Sequence, residues 1–249
     1  RWRPRLAPAW ALAGVAAAAA FGITSRAYAS AFLDESSLWT LAADRNPSSW
    51  LAHNNLGKSL YGSGDVARAE PQFAEAARLQ PDSPEAHANL ANCLEAEGRH
   101  GDAEREYGAA LEVDPRFAGA HYNLGLLLLK AGRRSEAATQ FQAALETDPH
   151  HPGARNSLGL CLAQEGRLPE AIEQYQLALA ADPGLAEARL NLGNALFRSG
   201  RTGEAVAQYR LALLARPNYA GAHHNLGLAL QALGRQAEAQ EQFSAEGAR

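Results

Sequence analysis

The chain of 249 residues contains no methionine, only two cysteines, and a formal net charge of -4. With no methionine, and opening on Arg1, it reads as a segment of a longer protein. So small a net charge gives no electrostatic argument for nucleic acid or for an acidic partner. Val, Ile and Thr are sparse beside Ala, Leu and Glu, which favours helix over strand. No phosphate-cradling glycine loop, zinc-protease helix motif or nucleophile elbow is found. This segment is therefore expected to carry neither an active site nor a cofactor.

What the chain does contain is a restatement. His53-Asn54-Asn55-Leu56-Gly57 returns after 34 residues as His87-Ala88-Asn89-Leu90-Ala91, then as His121-Tyr122-Asn123-Leu124-Gly125. It weakens to Arg155-Asn156-Ser157-Leu158-Gly159 before Arg189-Leu190-Asn191-Leu192-Gly193 and His223-His224-Asn225-Leu226-Gly227. Pro47, Pro81, Pro115, Pro149, Pro183 and Pro217 keep the same step. Length alone allows one or two globular domains, but a fixed period makes the chain one elongated array. Six repeats are delimited as 50–83, 84–117, 118–151, 152–185, 186–219 and 220–249.

Within each repeat a first helix carries apolar residues at helical spacing, such as Leu124 and Leu128. Gly64, Gly98, Gly132, Gly166, Gly200 and Gly234 then mark a tight turn. The second helix has a small residue (Ala69, Ala103, Ala137, Ala171, Ala205, Ala239) and, four residues on, an aromatic: Phe73, Tyr107, Phe141, Tyr175, Tyr209 or Phe243. Proline stops it, and Ser83-Pro84-Glu85 is a good start for the next helix. This pattern, from Phe32 to the C-terminus, resembles the tetratricopeptide repeat. The resemblance implies an all-α fold, a right-handed superhelical solenoid of helix pairs whose inner groove binds peptides.

Family geometry puts the first helices on the concave side, with Asn55, Asn89, Asn123, Asn191 and Asn225 looking into the groove and Ser157 breaking the series. An amide side chain offers both donor and acceptor, so a column of them could bind an extended backbone. It resembles the asparagine ladder of the O-linked N-acetylglucosamine transferases. The competing role is packing or capping of the inner helices.

Other polar residues are given structural roles. Adjacent repeats set equivalent residues such as His53, His87 and His121 about 10 Å apart by helix packing distances, with His223 further along the series, too far to share a metal whose bonds are about 2 Å. They read as a polar edge between neighbouring helices. His150-His151 and His223-His224 read as solvated. Cys93 and Cys161 stand 68 residues apart, two periods, beyond the ~7 Å reach of a disulfide, and read as small packing residues. Glu136, Glu170, Glu204 and Glu238 near second-helix starts suit the helix dipole. A chaperone-type carboxylate clamp would need cations along the first helices; only Lys58 and Lys130 are near suitable places, with Glu95 between them.

The first 30 residues differ from the rest. Arg1, Arg3 and Arg5 precede Leu6 to Thr24, 19 residues without a charge. A helix of that length would match a bilayer core, with Trp2 and Trp10 at the interface and the N-terminal side in the cytoplasm. A signal peptide cleaved after Ala27-Tyr28-Ala29, or an Ala-rich soluble helix, are the alternatives. Residues 31–49 read as a capping half-repeat, Phe32 to Arg45, with Phe32, Leu38, Trp39, Leu41 and Ala42 as its apolar side. At the other end Gln240 replaces Ile172 and Val206, and Ala245 replaces Leu177 and Leu211, as in a terminal unit where the chain ends.

The junction, Phe32-Leu33-Asp34-Glu35-Ser36-Ser37-Leu38-Trp39 followed by Asn46-Pro47-Ser48-Ser49-Trp50, resembles the region where the transmembrane-and-tetratricopeptide-containing (TMTC) proteins and their bacterial relatives join membrane domain to repeat tail. Characterised members are similar to lipid-sugar-dependent protein O-mannosyltransferases, with catalytic acids in upstream loops and repeats on the lumenal side. The resemblance implies a membrane-held, extracytoplasmic module binding a protein or peptide, with no activity of its own. The alternatives are a scaffold for envelope assembly with no enzyme attached and a cytoplasmic adaptor.

Overall fold

The computed structural model describes residues 35–247, and among these every regular element is an α-helix. The apolar stretch expected to span a membrane lies outside the described residues. Among the described residues no helix is long and apolar enough to cross a bilayer. A first short helix, α1 (Glu35–Arg45), precedes α2 (Trp50–Gly62), α3 (Val66–Leu79), α4 (Pro84–Ala96) and α5 (His100–Val113). Then follow α6 (Ala118–Lys130), α7 (Arg134–Thr147), α8 (Pro152–Gln164), α9 (Leu168–Ala181), α10 (Ala186–Arg198), α11 (Thr202–Ala215), α12 (Ala220–Ala232) and α13 (Gln236–Gly247).

The chain divides into two compact units, one up to Glu106 and one from Tyr107, with the division inside α5. The sequence pattern predicts one array, but repeats bury surface only against their neighbours, so no single core holds all of them. In the first unit α1 packs on α2, α2 on α3, and α3 on α4. In the second, α6 packs on α7, α8 on α9, α10 on α11 and α12 on α13, and each second helix also packs on the first helix of the next pair.

Local chemistry sets the helix ends. Ser49 Oγ accepts from the Ala52 amide at 3.3 Å and Ser83 Oγ from the Ala86 amide at 3.2 Å, satisfying donors that have no intrahelical partner. Each pair turns on a glycine in the left-handed region, for example Gly132 at φ +78°, a conformation that costs a side-chain-bearing residue energy.

Small and large residues interlock in the core. A Cβ on Gly57 would stand 2.7 Å from the Phe73 ring, and one on Gly125 would stand 2.6 Å from the Phe141 ring. The first helix therefore lies directly on the aromatic face of its own second helix. Phe141 and Ala137 are wholly buried. Pro71, inside α3, has no N–H for the Ala67 carbonyl, a bond the helix forgoes on its exposed side.

The capping helix differs from its expected form. Residues 32–34 lie outside the described part, and the buried residue of α1 is Ala43, while Leu38, Trp39, Leu41 and Ala42 are only half-buried. Among the described residues α1 packs chiefly on α2, which covers only part of its apolar side. At the other end Gln240 is exposed where Ile172 and Val206 are buried.

Candidate peptide-binding face

Two sets of polar residues recur along the first helices, on different edges of them. The outer set is the histidine series. His121 Nδ1 meets Gln140 Oε1 at 2.7 Å and its Nε2 meets the Pro115 carbonyl at 3.0 Å. His53, His87 and His223 repeat this with Gln72 and Pro47, Glu106 and Pro81, and Gln242 and Pro217. Arg155 keeps both partners through Pro149 and Gln174, and Arg189 keeps the proline through Pro183. One side chain thus ties the first helix to the turn before it and, in five repeats, to its own second helix. Both sides of the ring are engaged within the protein, as expected of a structural edge.

Arginine–carboxylate pairs close the starts of the second helices. Arg201 binds Glu204 through Nε at 2.7 Å and Nη2 at 2.6 Å, and Arg235 binds Glu238 likewise at 2.7 Å through both nitrogens. The guanidinium holds each of Glu136, Glu204 and Glu238 below the usual carboxylate range. Glu170 is lowered by its own backbone amide first and then by Arg167. Cys93 and Cys161 are unpaired and fully buried, and burial pushes their thiols up to about 12 and about 11. Among the described residues no cluster of three His, Cys, Asp or Glu could hold a metal.

The asparagine series behaves otherwise. In the first unit α2 touches α4, and Asn89 Nδ2 donates to Asn54 Oδ1 across them at 2.9 Å. Asn55 is half-buried, with no hydrogen bond among the described residues; Asn123, on α6, is also half-buried. In the second unit α8 touches α10 and α10 touches α12. Asn191 Nδ2 donates to Asn156 Oδ1 at 3.0 Å, and Asn225 Nδ2 donates to Asn194 Oδ1 at 2.7 Å. Ser157 is buried and hydrogen-bonded to the Tyr122 hydroxyl, so this rung is closed. Asn89, Asn191 and Asn225, expected as independent rungs, are therefore linked to the neighbouring repeat. Each has committed only one of its two N–H groups, and the Oδ1 atoms of Asn191 and Asn225 have no partner among the described residues.

These amides border a cleft of about 350 Å³ in the second unit, lined by α8, α10 and α12 and by the rings of Tyr175 and Tyr209. Asn194 sits at its centre of hydrogen bonding, accepting from Asn225 and from the Tyr209 hydroxyl at 2.9 Å. Arg198 reaches across to donate from Nη1 to the Ala163 carbonyl at 2.9 Å. Burial raises the Tyr175 phenol strongly and Tyr209 likewise. Asn194 and Arg198 were not singled out from the sequence. Their signal is an irregular place in the period: Asn194 stands where Leu126, Leu160 and Leu228 stand in other repeats and where asparagine appears again at Asn92. The first unit presents a different surface on its first helices, with Leu51 and Tyr61 exposed beside Lys58.

A family profile for the tetratricopeptide repeat matches residues 54–112 and 122–186, and a second profile for the same repeat matches 94–132 and 193–234. No curated protein sequence matches the chain. Among solved structures it is similar to YrrB, a tetratricopeptide protein with an unusual peptide-binding site: 25% identity over 75% of this chain and 96% of YrrB, TM-score 0.61. PilF from Pseudomonas aeruginosa shares 22% identity over 80% of this chain and 90% of its own, with a TM-score of 0.72. A chain of the APC/C hetero-tetramer Cut9–Hcn1 shares 19% over 84% of this chain, TM-score 0.72, and this chain spans 41% of it.

Proposed function

The chain belongs to the tetratricopeptide-repeat family, and from that premise we propose that it binds an extended segment of a partner protein on the face built by its first helices. Proteins of this family are interaction scaffolds. The observation that carries the reading is the cleft lined by Asn191, Asn194 and Asn225, whose amides keep unused groups after Asn225 has bonded Asn194 and Asn191 has bonded Asn156. An extended backbone offers donors and acceptors to match them. YrrB, with its peptide-binding site, is 25% identical and supports the same mode of use.

The test is site-specific photocrosslinking. Benzoylphenylalanine at Leu228, on the cleft, should capture a partner in the cells that make the full-length protein. At Leu214, which is 78% exposed on a second helix, it should not. Equal capture at both sites, or capture at Leu214 alone, would contradict the reading.

The setting we propose is the extracytoplasmic tail of a membrane protein related to glycosyltransferases, held to the membrane through residues 1–30. It is supported by the basic start, the uncharged run from Leu6 to Thr24, and the residue pattern up to Trp50. Protease added outside sealed cells should digest the repeats and leave a membrane-held stub. Full protection would retire this setting and leave a scaffold without an attached enzyme.

A further inference from the structure

We propose that the cleft between α8, α10 and α12 selects one kind of segment: a bulky apolar side chain with an acidic side chain within two residues of it. This rests on the interaction-face reading above and adds to it the chemistry of the ligand. The floor of the cleft is apolar, made by Leu160, Phe197 and Leu228 with the rings of Tyr175 and Tyr209. The Tyr209 hydroxyl is turned to Asn194, so its polar end is already satisfied. Leu228 is 40% exposed at this face, an apolar side chain that a partner side chain would cover.

Charge decides the second half. Arg198 lines the same cleft, and its guanidinium is pinned by the bond from Nη1 to the Ala163 carbonyl. Among the described residues no carboxylate pairs with it. The arginines that open second helices are each closed by a glutamate or aspartate three residues on: Arg99 with Asp102, Arg167 with Glu170, Arg201 with Glu204. Arg198 is thus a positioned cation, in a chain of net charge -4, whose remaining N–H groups are open to a carboxylate. Asn191, Asn194 and Asn225 line the same cleft as the apolar residues and the arginine, and their amides suit the backbone that links the two side chains. In an extended segment alternate side chains share a face, which sets the close spacing.

The test uses the full chain and a random peptide library displayed on phage with each peptide's C-terminus fused to the coat protein, so that only side-chain carboxylates are on offer. Enriched peptides should carry Leu, Ile, Phe, Tyr or Trp with Asp or Glu within two residues. Their binding should fall about tenfold or more in Arg198→Gln, as for loss of a charge-assisted bond, and also in Leu228→Gln. Arg134→Gln, an exposed arginine on α7, should leave it unchanged. Enriched peptides without an acidic residue, or unaffected by Arg198→Gln while circular dichroism shows the variant folded, would overturn the subsite and leave the interaction face standing. Failure of any peptide to enrich would remove the face itself, and the subsite with it.

Discussion

The histidine edge and the asparagine face run along the same helices and obey different rules. At the edge the partners sit at constant offsets: the proline carbonyl six residues back and residue 19 ahead, from His53 through His223. When histidine gives way to Arg155, the longer side chain reaches the same two groups. On the face the pairing is less regular: Asn89 reaches Asn54, 35 residues back, but not every asparagine does the same. Asn191 finds Asn156, but Asn225 has Leu190 at the equivalent place and turns to Asn194 instead. A contact that repeats is serving the stack, which every repeat must maintain. A contact that departs from the period is free to serve something found once, and the departures gather where the cleft is.

The core beneath both surfaces provides the reference for separating them. Phe141→Ala should cost about 3–5 kcal/mol, a cavity at a fully buried ring, read from urea unfolding. Gly125→Leu should cost about 1–3 kcal/mol, because its first carbon alone would stand 2.6 Å from that ring. An unchanged midpoint would break the assignment of this glycine to a close helix contact. His121→Ala should cost about 1–2 kcal/mol for two hydrogen bonds, and His121→Arg should restore much of it, since Arg155 does the same task. If Ala and Arg destabilise equally, the edge is not the interchangeable tie described.

The smallest effect belongs to the exposed arginine–glutamate pairs. The folded-state pKa of Glu136 and Glu204 is lowered from 4.5 by Arg133 and Arg201. A depressed carboxylate stabilises the fold above its unfolded value and loses that contribution as pH falls through its folded value. The Tm should therefore drop as pH goes below about 4.5, and drop less steeply in Arg133→Gln/Arg201→Gln. Identical pH profiles would show that the pairs are too solvated to matter.

The helix pairs were legible in the sequence because their causes are local and periodic. Gly125 and Phe141 announce a small–large contact by spacing, and Ser83-Pro84 announces a helix start. The exchange between Asn191 and Asn156 was not legible. It spans 35 residues, one more than the period, and depends on how far one first helix is staggered against the next. Nor was the use of the proline carbonyls, since proline signals only where a helix stops. The cleft was hidden for a related reason: a motif reading keeps what most repeats share, and Arg198 occurs once at its place while that of Asn194 holds asparagine again only at Asn92. The five asparagines Asn55, Asn89, Asn123, Asn191 and Asn225 were expected in the groove from their recurrence and the geometry of the family they resemble; of these five, Asn191 and Asn225 line the cleft.

The central claim is that the asparagine face binds and the histidine edge does not. Titrating a peptide enriched by the displayed library into isotope-labelled protein, and following the side-chain amide and imidazole resonances by NMR, addresses both at once. The account predicts shifts at the Asn191, Asn194 and Asn225 amides, with His121 and His223 unmoved. Shifts at the histidines, with the asparagine amides unmoved, would contradict it.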